Sequence, residues 1–180
     1  MTGTIVALYG PPASGKDTIT SELSKVDQQF RLFQRIKAGS GRQDGYRMVS
    51  PAQLDDLHNA GDIIWENTRY NARYAIDRSG LESATKSSVP VVHVGQPQAI
   101  AAMKDALTAQ RVIVVELYYD RREAVERIAG RGDEDLEARL AAWDETPRLL
   151  TAHLRIDTSQ VPPQLAAIQI VEALTQISHG

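Results

Sequence analysis

Near the amino end, the apolar run Thr4-Ile5-Val6-Ala7-Leu8-Tyr9 meets Gly10-Pro11-Pro12-Ala13-Ser14-Gly15-Lys16-Asp17-Thr18, and helical character starts at Asp17. Strand, glycine-bearing turn and helix in that order are the makings of a phosphate-binding loop in an α/β fold. Gly10 and Gly15 let the backbone turn so that successive amide hydrogens point inward, and the helix start adds partial positive charge. Lys16 would then reach the terminal phosphates as a mobile point charge. The segment reads as a cradle for a nucleoside triphosphate.

The position after such a lysine normally carries a Ser or Thr whose hydroxyl binds magnesium, and here it is Asp17. Two readings stand side by side. An aspartate in a first helical turn is favoured by the macrodipole without any metal. A carboxylate beside a triphosphate is repelled unless magnesium bridges them, which would make Asp17 a metal ligand and leave the Thr18 hydroxyl for phosphate.

With 180 residues, 42% of them hydrophobic, the chain can build a sizeable core yet remain one domain over residues 1–180. A net charge of −3 offers no basic excess for a nucleic-acid backbone. The chain has no cysteine, which excludes disulfides, thiolate metal sites and cysteine nucleophiles. No apolar run approaches membrane-spanning length, and the first strand leaves no room for a signal peptide. These features predict a cytoplasmic protein with no nucleic-acid or membrane partner.

Apolar runs recur at 4–9, 89–94, 111–118 and 154–157. The middle two are rich in valine and nearly without alternation, as in strands buried on both faces. Helical patterns fill 17–25, 51–59, 77–85, 97–107, 120–129, 133–146 and 163–178. The alternation predicts a wound parallel sheet with helices on both faces, a three-layer α/β/α arrangement. Ser50, Pro51 and Gln53 form a capping box with proline at the first helical position, and Gly61 closes that helix. Ala38-Gly39-Ser40-Gly41 reads as a mobile loop.

Between the first helix and the Val89 strand, cations and phenols gather: Arg35, Lys37, Arg42, Tyr46, Arg47, Arg69, Tyr70, Arg73 and Tyr74, with Glu66 among them. Guanidinium forks match phosphate oxygens, and tyrosine hydroxyls donate to them without adding charge. The group suits a phosphorylated acceptor, and it equally suits a solvated surface with ordinary tyrosine packing. Downstream, Arg127 and Arg131 lie one helical turn apart before Gly132, and Arg139 stands beside the stripe Leu136, Leu140 and Trp143. Glycines around Arg131 suggest a hinged lid at about 129–136, whose closure would bring Arg131 and Arg139 onto a migrating phosphoryl group and shut out water. Arg127 can instead pair with Glu123 on an exposed helix face.

Taken together, these residues resemble the guanylate kinase branch of the P-loop nucleoside monophosphate kinases over nearly the whole chain. The resemblance rests on GPPASGKDT, on Asp44-Gly45-Tyr46-Arg47-Met48-Val49-Ser50, on Ile64-Trp65-Glu66 before Tyr74, and on Glu126-Arg127-Ile128, Arg131-Gly132 and Glu137-Ala138-Arg139-Leu140. It implies a P-loop NTPase fold with a substrate-binding insert at about 33–76 and a helical lid. It also implies ATP and Mg2+ as cofactors and a phosphorylated small molecule, GMP-like, as acceptor, in a monomer or homodimer. Thr158 and Ser159 match the last loop of many such kinases, where backbone and hydroxyls flank adenine. On this reading Arg35, Lys37, Tyr46, Glu66, Tyr70 and Tyr74 would meet the acceptor, with Glu66 as the carboxylate that reads guanine.

The departures fall where the acceptor is chosen. Ser40 stands where guanylate kinases have glutamate, Ala75 follows Tyr74 in place of glycine, and Gly95 takes the strand-end aspartate position. Ribose 1,5-bisphosphate phosphokinases are built similarly, share the Gly-Lys-Asp loop and also have glycine at that strand end. A kinase for a modified nucleotide and a non-catalytic guanylate-kinase-like binding module complete the alternatives.

Overall fold

The computed structural model describes residues 3–69, 71–129 and 136–179. In chain order its elements are β1 (Thr4–Tyr9), α1 (Lys16–Val26), β2 (Phe30–Leu32), β3 (Arg35–Gly39), β4 (Tyr46–Met48), α2 (Pro51–Asn59), β5 (Ile63–Arg69) and β6 (Ala72–Asp77). They continue through α3 (Arg78–Ala84), β7 (Val89–Val94), α4 (Pro97–Ala106), β8 (Arg111–Tyr118), α5 (Arg121–Ala129), α6 (Leu136–Asp144), β9 (Leu154–Asp157) and α7 (Pro163–His179).

A five-stranded sheet in the order β2-β7-β1-β8-β9, parallel at every pairing, forms the centre. The pleat of β1 sends alternate side chains to opposite faces. Val6 and Leu8 pack with Ile19 and Leu23 of α1 and with Ile170 and Leu174 of α7. Ile5, Ala7 and Tyr9 pack with Leu81 of α3 and with Ile100 and Met103 of α4. Both faces are therefore covered, which is why these strands read as unbroken apolar runs. Each fully buried aliphatic side chain contributes roughly 1.5–3 kcal/mol. The expected three-layer arrangement is the one found.

A second sheet, in the order β4-β3-β6-β5, is built from the polar region between α1 and α3. One face carries Ile36, Ala38 and Ala75 against Leu54 of α2. That helix begins with the expected capping box: Ser50 accepts from the Gln53 amide, and the Gln53 side chain accepts from the Ser50 amide. Gly61, at φ +72°, follows its last turn. The opposite face of this sheet looks across at the phosphate loop.

Two expectations are corrected here. Ala38 and Gly39 are not loop: they end β3, with Ala38 buried and Gly39 opposite Ala72, and irregular chain begins at Ser40. β2 went unforeseen because it pairs only three residues, and of those Phe30 alone is fully buried. Residues 130–135, the heart of the expected lid, lie outside the described residues. Among the described residues no helix is long and apolar enough to cross a membrane.

The segment from α6 to β9 is strapped to the central sheet by a buried carboxylate. Glu116 on β8, 1% exposed, accepts from Arg148 Nε at 2.8 Å, Arg155 Nε at 2.8 Å and the Leu149 amide at 3.0 Å. Nearby, Tyr9 donates to the Pro147 carbonyl at 2.6 Å, and burial, followed by the Glu116 charge, pushes its phenol up to about 12. Burial alone would raise the Glu116 carboxyl, but the Arg148, Leu149 and Arg155 hydrogen bonds outweigh it and hold the group below its ordinary 4.5. A depressed carboxyl stabilises the fold above its unfolded value, and that stability is lost as the pH falls through the folded value. Glu116→Gln therefore costs about 2–3 kcal/mol at pH 7, and the gap from wild type narrows below about pH 4.5. Urea titrations of both proteins across pH check this; a gap that does not change with pH would assign the effect to shape alone.

Candidate active site

The loop from Gly10 to Gly15 sits where β1 ends at the carboxyl edge of the sheet. Gly10 is hemmed in: a Cβ there would lie 2.7 Å from the Leu117 carbonyl oxygen and 2.7 Å from Ser14 Oγ. Gly15, at φ +89°, turns the chain into α1 as its N-cap. With no side-chain cap on that helix, its first amides stay available to an anion. Lys16 Nζ folds over the loop, donating to the carbonyls of Gly10 at 2.7 Å and Pro11 at 2.8 Å and to Ser14 Oγ at 3.1 Å. Pro12, Ala13 and Ser14 line the open side of the loop together with Lys16 and Asp17. Thr18 is exposed and outside that lining.

Asp17 is half exposed beside Lys16, and its Oδ2 accepts from Arg42 at 3.2 Å. Burial pushes this carboxyl up, but Arg42, with His93 and Lys16, outweighs it and holds the group below the usual carboxylate range. His93 on β7 shares a 2.7 Å hydrogen bond with Thr20 Oγ1, and its Nδ1 lies 3.6 Å from Asp17. Burial, with the Lys16 charge next, pushes His93 down to about 3, so the ring is neutral at physiological pH. Among the described residues no group of three or more His and carboxylate side chains is placed to hold a metal. A lone ionised carboxylate is nonetheless the donor set that magnesium uses beside phosphates. The Arg42 guanidinium already stands there as a cation.

On the far side of the loop, Arg127 makes the expected pair with Glu123 and also ties down the loop after β9. It pairs with Glu123 at 2.7 Å, and it donates to Thr158 Oγ1 and to the Thr158 carbonyl, each at 2.9 Å. Its guanidinium stacks 4.3 Å over the Tyr119 ring, and the Tyr119 hydroxyl bonds the Pro12 carbonyl. Arg127 and Thr158 thus meet the back of the phosphate loop rather than its mouth. Ser159 turns toward Asp157, donating to it at 2.5 Å.

Across the cavity, the second sheet presents Arg35, Tyr46 and Tyr74 toward Lys16 and Asp17. The tyrosine rings lie 5.4 Å apart at 59°, with the Arg35 guanidinium 5.8 and 5.6 Å from their centres. Among the described residues, no carboxylate lies within ion-pair distance of Arg35. Lys37, on the same face, is 2% exposed beneath these rings and donates to the Arg42 carbonyl at 2.7 Å. It supports the wall rather than lining it.

Glu66 is placed differently from expectation. Its carboxylate points to the outer face of the sheet, where Arg73 donates to it at 2.6 and 3.2 Å. The pleat places Asn67 in the cavity instead, and its Oδ1 is buried with no hydrogen-bond partner among the described residues. Arg69 lines the cavity and reaches Glu145 at 3.1 Å, joining the insert to the end of α6. Arg139 enters from α6 beside Ala142 and Thr146. Gly95 lies at the floor, where a Cβ would find only the Gly10 carbonyl, at 3.8 Å. Arg131 and Tyr70 lie outside the described residues.

A glycine-bearing loop at the end of β1, with Lys16 folded over it and a cationic, phenol-walled insert across the cavity, defines a P-loop NTPase fold. The solved guanylate kinase of Anaplasma phagocytophilum superposes with a TM-score of 0.67 over 97% of this chain and 86% of that one, at 16% identity. The APS kinase CysC of Mycobacterium tuberculosis, solved with AMPPNP and APS, gives 0.57 over 97% and 98%, at 10% identity. In sequence, the chain is 28% identical to the ribose 1,5-bisphosphate phosphokinase PhnN of Ruegeria sp. (strain TM1040) over 144 residues, 77% of this chain and 74% of that protein. No protein-family model matches. The chain thus has a P-loop NTPase fold shared with a solved guanylate kinase, and in sequence it is similar to a ribose 1,5-bisphosphate phosphokinase.

Proposed function

We propose that the chain transfers the γ-phosphoryl group of ATP to the phosphate of a small phosphate monoester, and that this acceptor is a ribose phosphate of the 1,5-bisphosphate class. One observation carries the choice. The face that Arg35, Tyr46 and Tyr74 turn to the phosphate loop offers Asn67 where guanine recognition asks for a carboxylate, because Glu66 is committed to Arg73 behind the sheet. Such a wall suits phosphates and hydroxyls. The activity of the PhnN relative agrees with it.

In this reading an oxygen of the acceptor phosphate attacks the γ-phosphorus in line, the bond to the bridging oxygen breaks, and ADP leaves. The attacking phosphate is already ionised, so no strong base is needed, and the neutral His93, bonded to Thr20, is not positioned as one. Lys16 and the loop amides hold the donor. Arg139, and Arg131 as lid closure would bring it, neutralise charge on the migrating group. Asp17 would hold magnesium, which would supply positive charge to offset that of the donor phosphates. Arg127 and Thr158 border the side where adenine would lie.

A purine nucleoside monophosphate is the second reading, favoured by the paired Tyr46 and Tyr74 rings and by Asp44 at the cavity edge. ADP release measured with ribose 1,5-bisphosphate, ribose 5-phosphate, GMP and AMP separates the two. The expected result is turnover of the bisphosphate at least about tenfold above GMP, a difference of roughly 1.4 kcal/mol in the barrier. ADP release that no acceptor raises above background would overturn the kinase reading, and preference for GMP would overturn the choice of acceptor.

A further inference from the structure

Arg42 has two possible anions within its reach. It lines the same cavity as Arg35 and Tyr46, and its guanidinium pairs with Asp17, the carboxylate beside Lys16. Its backbone is pinned, since the carbonyl of Arg42 accepts from the buried Lys37. Its side chain is not: the guanidinium is 57% and the Asp17 carboxylate 51% exposed, so the pair is held loosely. A divalent ion arriving with the donor is a stronger partner for Asp17 than a screened guanidinium. The displaced Arg42 then finds itself in a cavity where an acceptor phosphate supplies the next anion, with Arg35 on the same wall.

We propose that Arg42 is a shared positioning residue, held by Asp17 until magnesium takes that carboxylate and then turned onto the acceptor's phosphate. The inference rests on the kinase reading above. Its consequence is coupling: magnesium-bound donor strengthens acceptor binding, and the acceptor strengthens donor binding by the same factor. One side chain thereby keeps the acceptor site weak until the donor is seated.

Two titrations test this, neither needing turnover. In the first, AMPPNP is titrated with and without magnesium into wild type, Arg42→Ala and Asp17→Asn. If Arg42 competes with the metal, Arg42→Ala increases the magnesium-dependent gain in affinity about threefold, a screened pair's worth, and Asp17→Asn abolishes that gain. An unchanged gain in Arg42→Ala would overturn the proposal whatever the acceptor is. In the second, ribose 1,5-bisphosphate and GMP are titrated with and without magnesium–AMPPNP. Wild type is expected to bind its acceptor at least about fivefold tighter with the donor present, Arg42→Ala to show a factor near one, and Arg42→Lys to restore part of it. Coupling that survives in Arg42→Ala, or an absence of coupling in wild type, would likewise overturn it. Failure of the kinase reading shows separately, as acceptors that bind but are not phosphorylated when ATP replaces AMPPNP.

Discussion

Replacing Lys16 with methionine lowers kcat/KM about a thousandfold and weakens ATP binding, while the folded state survives. Methionine keeps the length of the side chain and removes its charge, so the loop loses the only ammonium among its lining residues. Removing one preorganised donor from a site where charge develops costs roughly 3–4 kcal/mol in the barrier. Lys16 donates to two carbonyls and a hydroxyl of its own loop, so the variant leaves those groups to water or to neighbouring amides. Steady-state kinetics with calorimetry of ATP binding checks this. Wild-type donor affinity together with wild-type turnover would remove the basis for the functional assignment.

Arg35→Ala acts on the other substrate. It raises the acceptor KM roughly thirtyfold and leaves the ATP KM within about twofold, as the loss of a charged hydrogen bond of about 2 kcal/mol predicts. Arg35 sits over Tyr46 and Tyr74 with no carboxylate partner among the described residues, so its charge is available to a ligand. Arg35→Lys recovers part of the effect, because an ammonium supplies the charge without the fork. A matching rise in both KM values would mean that Arg35 holds the fold of the cleft rather than the acceptor.

The central sheet was legible in the sequence because burial on both faces leaves an unmistakable texture. The runs at 4–9, 89–94, 111–118 and 154–157 coincide with four of its five strands. The capping box at Ser50 was legible for a different reason, since its hydrogen bonds span only three residues. The insert was harder. Its strands mix cavity-facing cations with core residues, so β6 alternates Arg73, Tyr74 and Ala75 with no apolar run to mark it. Glu66 and Asn67 show the limit most clearly: their faces follow from the pleat, and an irregularity between Ile63 and Trp65 shifts the pairing just before them. Residue type pointed to the carboxylate, while strand parity selected its neighbour. Of Arg127, the sequence made only the local ion pair with Glu123 legible; its bonds to Thr158 join residues far apart along the chain and carry no spacing signal.

The two sheets share no strand, and the cavity lies between them. The chain leaves the central sheet after Leu32 and, once past Asp77, returns through α3 to β7. Asp77 is fastened at that return, accepting from the Gly80 amide at 3.0 Å and pairing with Arg47. Such a layout behaves as a cassette. Residues 35–77 could be exchanged between kinases of this build to retune which metabolite is phosphorylated, leaving the energy-supplying half of the machine as inherited.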